Sequence, residues 1–128
     1  MRRIRFRGKD IQTGEWVKGD LIQRYGFYPA ILTTYLKVGG KVGYIEDVVN
    51  QETIGQFTGL YDKNEMEIYE GDILGVQGVQ EKIEVRFVRG VFAFLRNGDL
   101  DNEVPINTPT QAWAEVIGNI HDNPELLK

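Results

Sequence analysis

Apolar and polar residues alternate with a period of two along much of this chain, and no stretch keeps a helical period beyond one or two turns. Such a pattern builds sheets, so the expected fold class is mainly β. Arg3, Arg5, Arg7 and Lys9 alternate with Ile4 and Phe6 in a first strand. Residues 15–24, 28–36 and 44–49 read as further strands, and residues 37–43, with three glycines, as a loop or hairpin turn. The clearest pattern is 82–95. There Ile83, Val85 and Phe87 point one way, Lys82, Glu84 and Arg86 the other, Arg89-Gly90 turns, and 91–95 returns. Asn97-Gly98 ends that hairpin, residues 99–109 form a polar loop with two prolines, and 113–121 are a last strand. Asn123 is expected to cap a short terminal helical turn that starts at Pro124.

The 128 residues suffice for one domain or two very small ones. Cysteine is absent, which excludes disulfides, thiolate zinc sites and Cys nucleophiles. Serine is absent too, which removes Ser-based hydrolysis, and His121 is the single imidazole. The net charge of −4 makes nucleic acid a poor default partner, because that affinity comes mainly from neutralising phosphates. No apolar run approaches the length of a membrane span. No apolar region follows the basic start, so a signal peptide is not expected, and a cytoplasmic location in the host cell is the simple expectation.

Two segments echo each other. Glu15-Trp16-Val17-Lys18-Gly19-Asp20-Leu21-Ile22 matches Glu67-Ile68-Tyr69-Glu70-Gly71-Asp72-Ile73-Leu74, and upstream Phe6-Arg7-Gly8 with Asp10 matches Phe57-Thr58-Gly59 with Asp62. A shorter fragment, Ile54-Gly55-Gln56-Phe57, returns as Ile117-Gly118-Asn119-Ile120. The physical reading is a reused unit in which a strand runs through Gly-Asp. Gly19 and Gly71 then mark bends, and Asp20 and Asp72 bond the backbone amides that the bends free. These four are structural turn residues in this reading, preferred over a catalytic or metal-binding aspartate pair.

Taken together, residues 54–64, 67–73 and 116–127, with Arg5-Phe6-Arg7-Gly8 and Trp16-Val17-Lys18-Gly19-Asp20, resemble the YopX protein family. The resemblance spans essentially the whole chain. One departure is Glu65-Met66, where such segments usually carry a glycine in an Asp-Lys-Asn-Gly turn. The resemblance implies a small phage or prophage protein with an SH3-like β-barrel. It brings no established activity and no catalytic residues.

The remaining candidates are weak. His121-Asp122 has acid–base chemistry but sits beside a turn with no nucleophile nearby in sequence. Residues 97–103 are acidic without the calcium-loop spacing, and 39–43 lack the phosphate-loop spacing. Arg3, Arg5, Arg7 and Lys9 form the one basic face that could track a nucleic-acid backbone, with Tyr25, Phe27 and Tyr28 as stacking surfaces. Charge guarding of an edge strand is the preferred reading of that face. Trp16 and Trp113 read as buried anchors. The expectation is therefore an N-terminal β unit at 1–50 packed on an SH3-like barrel at 51–128, or one continuous domain. It is a non-enzymatic module for a protein partner, with no cofactor and no metal. A nucleic-acid module on the basic strand is the alternative, and homo-oligomers through an edge strand are open to it.

Overall fold

A computed structural model describes residues 2–128. The chain is mainly β: the described residues form ten strands and three short 3-10 turns at 51–53, 110–112 and 124–127. It divides into two compact units, Met1–Phe57 and Thr58–Lys128, with the division inside strand β5 (Gly55–Tyr61).

In the first unit, β1 (Phe6–Lys9) lies antiparallel between β2 (Trp16–Ile22) and the start of β5, and β3 (Ala30–Val38) with β4 (Lys41–Val48) extends the sheet beyond β2. The expected glycine-rich loop is only two residues long. Both Gly39 and Gly40 take positive φ, 57° and 78°, so the strands run to Val38 and resume at Lys41. Such a turn matches strand twist and prolongs both strands into a long ribbon. The apolar core of this unit is small: Ala30, Ile31 and Val49 are wholly buried.

In the second unit, β7 (Asp72–Val76) lies between β10 (Ala114–Asn119) and β8 (Ile83–Val88), with β9 (Val91–Arg96) outermost, while β6 (Glu67–Tyr69) borders β5. Ile68, Leu74, Ile83, Val85, Phe94 and Ala114 close the core, with Trp113 half-buried against it. The 82–95 pattern forms the β8–β9 hairpin around Arg89-Gly90, but its two faces are not those expected. Glu84 is buried, held by Arg86 through two short bonds (2.7 and 2.8 Å), and Arg86 also donates to Gly98 O. Phe87 is half exposed instead, edge-on to Phe92 at 5.2 Å.

The two echoed segments fold differently. Through Gly19 the strand continues unbroken, and Asp20 accepts from Tyr35 Oη at 2.8 Å. At Gly71 (φ 93°) the chain turns between β6 and β7, and the buried Asp72 accepts from Tyr69 N at 2.7 Å. Two further expectations need correction. The last strand stops at Asn119, because the Asn119 carboxamide oxygen takes the N–H groups of His121 and Asp122. Asn123 makes no side-chain cap to the turn at Pro124; its Oδ1 accepts from Asn119 N at 3.3 Å.

Glu65, the departure from the family's glycine, has φ 64°. That region costs a residue with a Cβ about 1–2 kcal/mol. Glu65→Gly is therefore expected to stabilise the fold by about 1 kcal/mol in urea unfolding, offset in part by the added freedom of the unfolded chain. An unchanged or lowered midpoint would show that Glu65 is not strained.

Candidate functional site

The basic face does not form one open row of cations. Arg3 and Arg5 precede β1, Arg3 exposed and Arg5 half-buried. Arg7 is 8% exposed, with its guanidinium carbon 4.6 Å from the Trp16 ring centre, and Lys9 Nζ lies 5.5 Å from the same ring. Cations over an indole face are held by its quadrupole. The β1–β2 pairing produces this, since Lys9 and Trp16 are direct cross-strand partners and Arg7 is two residues along. Trp16 is thus a half-buried platform for two cations.

The aromatic loop between β2 and β3 is the most exposed apolar feature of the first unit. Tyr25 is fully exposed, and Phe27 and Tyr28 are 74% and 70% exposed. Its local shape is defined. Phe27 N donates to Arg24 O at 3.2 Å, and Gly26 takes φ 77°. Arg24 grips Glu46 of β4 by a two-bond fork, 2.8 and 2.7 Å, and Pro29 is buried at the loop's exit. The fork lowers the Glu46 pKa and raises that of Arg24, in each case chiefly through the charged hydrogen bonds. The pair therefore stays ionised at neutral pH. A concavity of about 290 Å³ runs beneath the loop, lined by Gln23, Arg24, Tyr25, Phe27, Pro29 and Gln51.

The second unit carries an open apolar groove of about 320 Å³ lined by Val76, Ile83, Val104, Pro105 and Trp113. Trp113 Nε1 donates to Thr108 O at 3.1 Å, which pins the 104–108 loop along its rim. Arg96 is the sole ionisable side chain in that lining, so the groove offers apolar contact and no general base.

The other sequence candidates are dispersed. His121 and Asp122 sit in the turn after β10, where Asp122 Oδ2 accepts from Asn119 Nδ2 at 3.1 Å. In the acidic loop, Asp99 Oδ1 turns back onto Asp101 N, and Asn102 Oδ1 accepts from Arg96. Among the described residues, no three His, Cys, Asp or Glu side chains converge as a metal-ligand set. No helix of the described residues is long and apolar enough to cross a membrane.

Sequence reading singled out Tyr25, Phe27 and Tyr28 only as companions of the basic strand, and missed the exposed ribbon beyond them. Tyr35, Val38, Val42, Tyr44 and Ile45 on β3 and β4 are all largely exposed. The glycines at 37–43 were already legible as a loop or hairpin turn between two β-rich runs; the exposure of the ribbon they join was not.

Comparison with solved structures finds similar architectures. The crystal structure of protein EF1440 from Enterococcus faecalis matches with a TM-score of 0.66 and 27% identity, covering 100% of both chains. No curated protein matches. The family described as YopX protein matches residues 5–128.

Proposed function

The chain belongs to the YopX family, and from that premise we propose that it is a non-catalytic phage or prophage accessory protein that binds a protein partner. We read it as acting in the host cytoplasm, with its second unit as the SH3-like part. The observation that carries the reading is the aromatic loop. Three large rings at 25, 27 and 28 stand in solvent on a loop pinned by the Arg24–Glu46 fork and Pro29. Exposed aromatic anchors on a pre-shaped loop suit recognition of an apolar protein surface, since such rings add large contact area at low entropic cost. The non-catalytic reading draws support from the chemistry available: no Ser, no Cys and one His in the chain.

The test is a comparative pull-down from prophage-carrying cells. Wild type is expected to recover a stoichiometric protein that the triple variant Tyr25→Ala, Phe27→Ala, Tyr28→Ala loses at least tenfold, with both proteins equally folded by circular dichroism. Equal recovery by both, or none by either, overturns the proposal. A nucleic-acid interface on Arg3, Arg5, Arg7 and Lys9 has weaker support, because Arg7 is buried and two of the four cations lie over Trp16. Its own signature is affinity that falls steeply with salt.

A further inference from the structure

We propose that β4 is a homodimerisation edge, pairing antiparallel with β4 of a second copy of this chain about Tyr44. The inference is independent of the aromatic loop. It starts from which backbone groups of β4 lack a neighbour. In the sheet order, β4 has a strand on one side only, β3. The pair closing a two-residue turn is hydrogen-bonded, so Lys41 faces Val38 in a bonded pair. Bonding then alternates: Lys41, Gly43 and Ile45 direct their N–H and C=O to β3, and Val42, Tyr44 and Glu46 direct theirs away. The same parity holds at the end of the strand, where Val48 O accepts from Ile11 N at 3.0 Å. From Lys41 to Glu46 the outer edge meets no strand among the described residues.

Such an edge is usually blunted by proline, an outward bulge or inward charge. Here β4 reads Lys-Val-Gly-Tyr-Ile-Glu-Asp-Val, with no proline, and Val42, Tyr44 and Ile45 are 70%, 55% and 46% exposed. The β-bulge of this hairpin lies in β3, between Leu32 and Thr34, and leaves β4 regular.

What selects a second copy as the occupant is self-complementarity. A two-fold axis between antiparallel strands sets one residue opposite itself, in a bonded or an unbonded pair, and centring it on Tyr44 bonds three outward pairs where centring it on Gly43 or Ile45 bonds two. Tyr44 is the central outward residue. With Tyr44 opposite Tyr44, Val42 faces Glu46 and Lys41 faces Asp47, each twice. The three outward-facing pairs give about six backbone hydrogen bonds. Lys41 and Asp47 share one sheet face, so opposite charges meet at both ends of the ribbon. A receptor for the arriving lysine exists. A concavity of about 220 Å³ at the end of the edge is lined by Asp10, Ile11, Gln12, Glu46, Asp47 and Val48. Glu46 is already neutralised by Arg24, which leaves Asp47 and Asp10 to receive Lys41. On the other face the two Tyr44 rings become cross-strand neighbours, a favourable aromatic pair.

The chain has no cysteine, so disulfide trapping reads the register directly. Residues in a bonded antiparallel pair have Cα atoms about 5.5 Å apart, within disulfide reach. Oxidised Tyr44→Cys is expected to give a covalent dimer in high yield. Val38→Cys, more exposed than position 44 (75% against 55%) but distant from its own copy in this register, is expected to stay at least tenfold less cross-linked. By sedimentation, wild type is expected to show a concentration-dependent monomer–dimer equilibrium. Tyr44→Pro removes an outward donor without touching the β3 ladder and is expected to be monomeric with unchanged β content. Lys41→Glu is expected to raise the dimer dissociation constant at least tenfold. A wild-type monomer at every concentration, or cross-linking at position 38 equal to that at 44, overturns the proposal.

Discussion

Asp62→Ala is expected to destabilise the protein by about 2–4 kcal/mol, the cost of stranding backbone donors that one buried carboxylate satisfies. Asp62 is wholly buried. Its Oδ1 accepts from Asn64 N at 2.8 Å and Met66 N at 2.9 Å, and its Oδ2 accepts from Val116 N at 2.9 Å. The first two bonds shape the turn between β5 and β6; the third ties that turn to β10, 54 residues away. The side chain is thus a bracket between a local turn and a distant strand. Water can replace its bonds to the exposed Asn64 and Met66, but less readily the one to Val116, which keeps the estimate below three full desolvation penalties.

The same carboxylate predicts a pH dependence. Burial raises its pKa, but the three N–H donors and Lys63 outweigh burial and bring it below the ordinary aspartate value. A group whose folded pKa is depressed stabilises the fold above its unfolded pKa, about 4, and loses that contribution as pH falls through the lower folded value. Wild type is expected to lose stability below about pH 4 more steeply than Asp62→Asn, which carries no titrating group there. Parallel acid profiles in urea unfolding would rule out the bracket as the acid-sensitive element.

Gly19→Ala is the second large effect. An added Cβ would sit 2.0 Å from Leu32 O and 2.9 Å from Leu32 C. Both are backbone atoms of the neighbouring strand, so no rotamer change relieves the overlap. Either the Asp20–Leu32 pairing opens or β2 shifts, at an expected cost of about 3 kcal/mol. The first unit has a small buried apolar set with which to absorb it. Thermal unfolding should show a fall of about 10 °C or more. By contrast, a Cβ at Gly59 in β5 would meet nothing within 4 Å, although φ 85° there strains any side chain. Gly59→Ala should therefore cost distinctly less than Gly19→Ala. Equal losses would mean that backbone conformation, not the close approach of β3, explains Gly19.

Much of the strand content was legible because period two and turn chemistry act over a few residues. Arg89-Gly90 and Asn97-Gly98 stand where they must, each with two positive φ angles. The Asx turns at Asp10 and Asp62 share one mechanism: Asp10 Oδ1 takes Gln12 N and Thr13 N as Asp62 Oδ1 takes Asn64 N and Met66 N. The upstream echo therefore carries real local structure. The Gly-Asp echo downstream does not share one outcome. Gly71 is held as a turn by two distant partners, its N–H on Val85 O at 2.7 Å and its C=O taking Ile120 N at 2.9 Å. Gly19 instead lies opposite Phe6 inside a ladder.

The candidate surfaces were less legible, for the same reason. The aromatic residues 25, 27 and 28 are visible in any reading of the chain, but their exposure is not.

Short-range forces acting on neighbouring residues were enough to assign strands, the tight turns at 89–90 and 97–98, and the exclusion of cysteine and serine chemistry. Which side of each strand is covered had to wait for long-range contacts. Glu84 is buried where the 97–98 turn closes over it, and Arg7 where it lies over Trp16. The outer edge of β4 meets no second strand among the described residues. Burial is a property of what arrives from elsewhere in the chain, and a period-two pattern carries no record of that arrival.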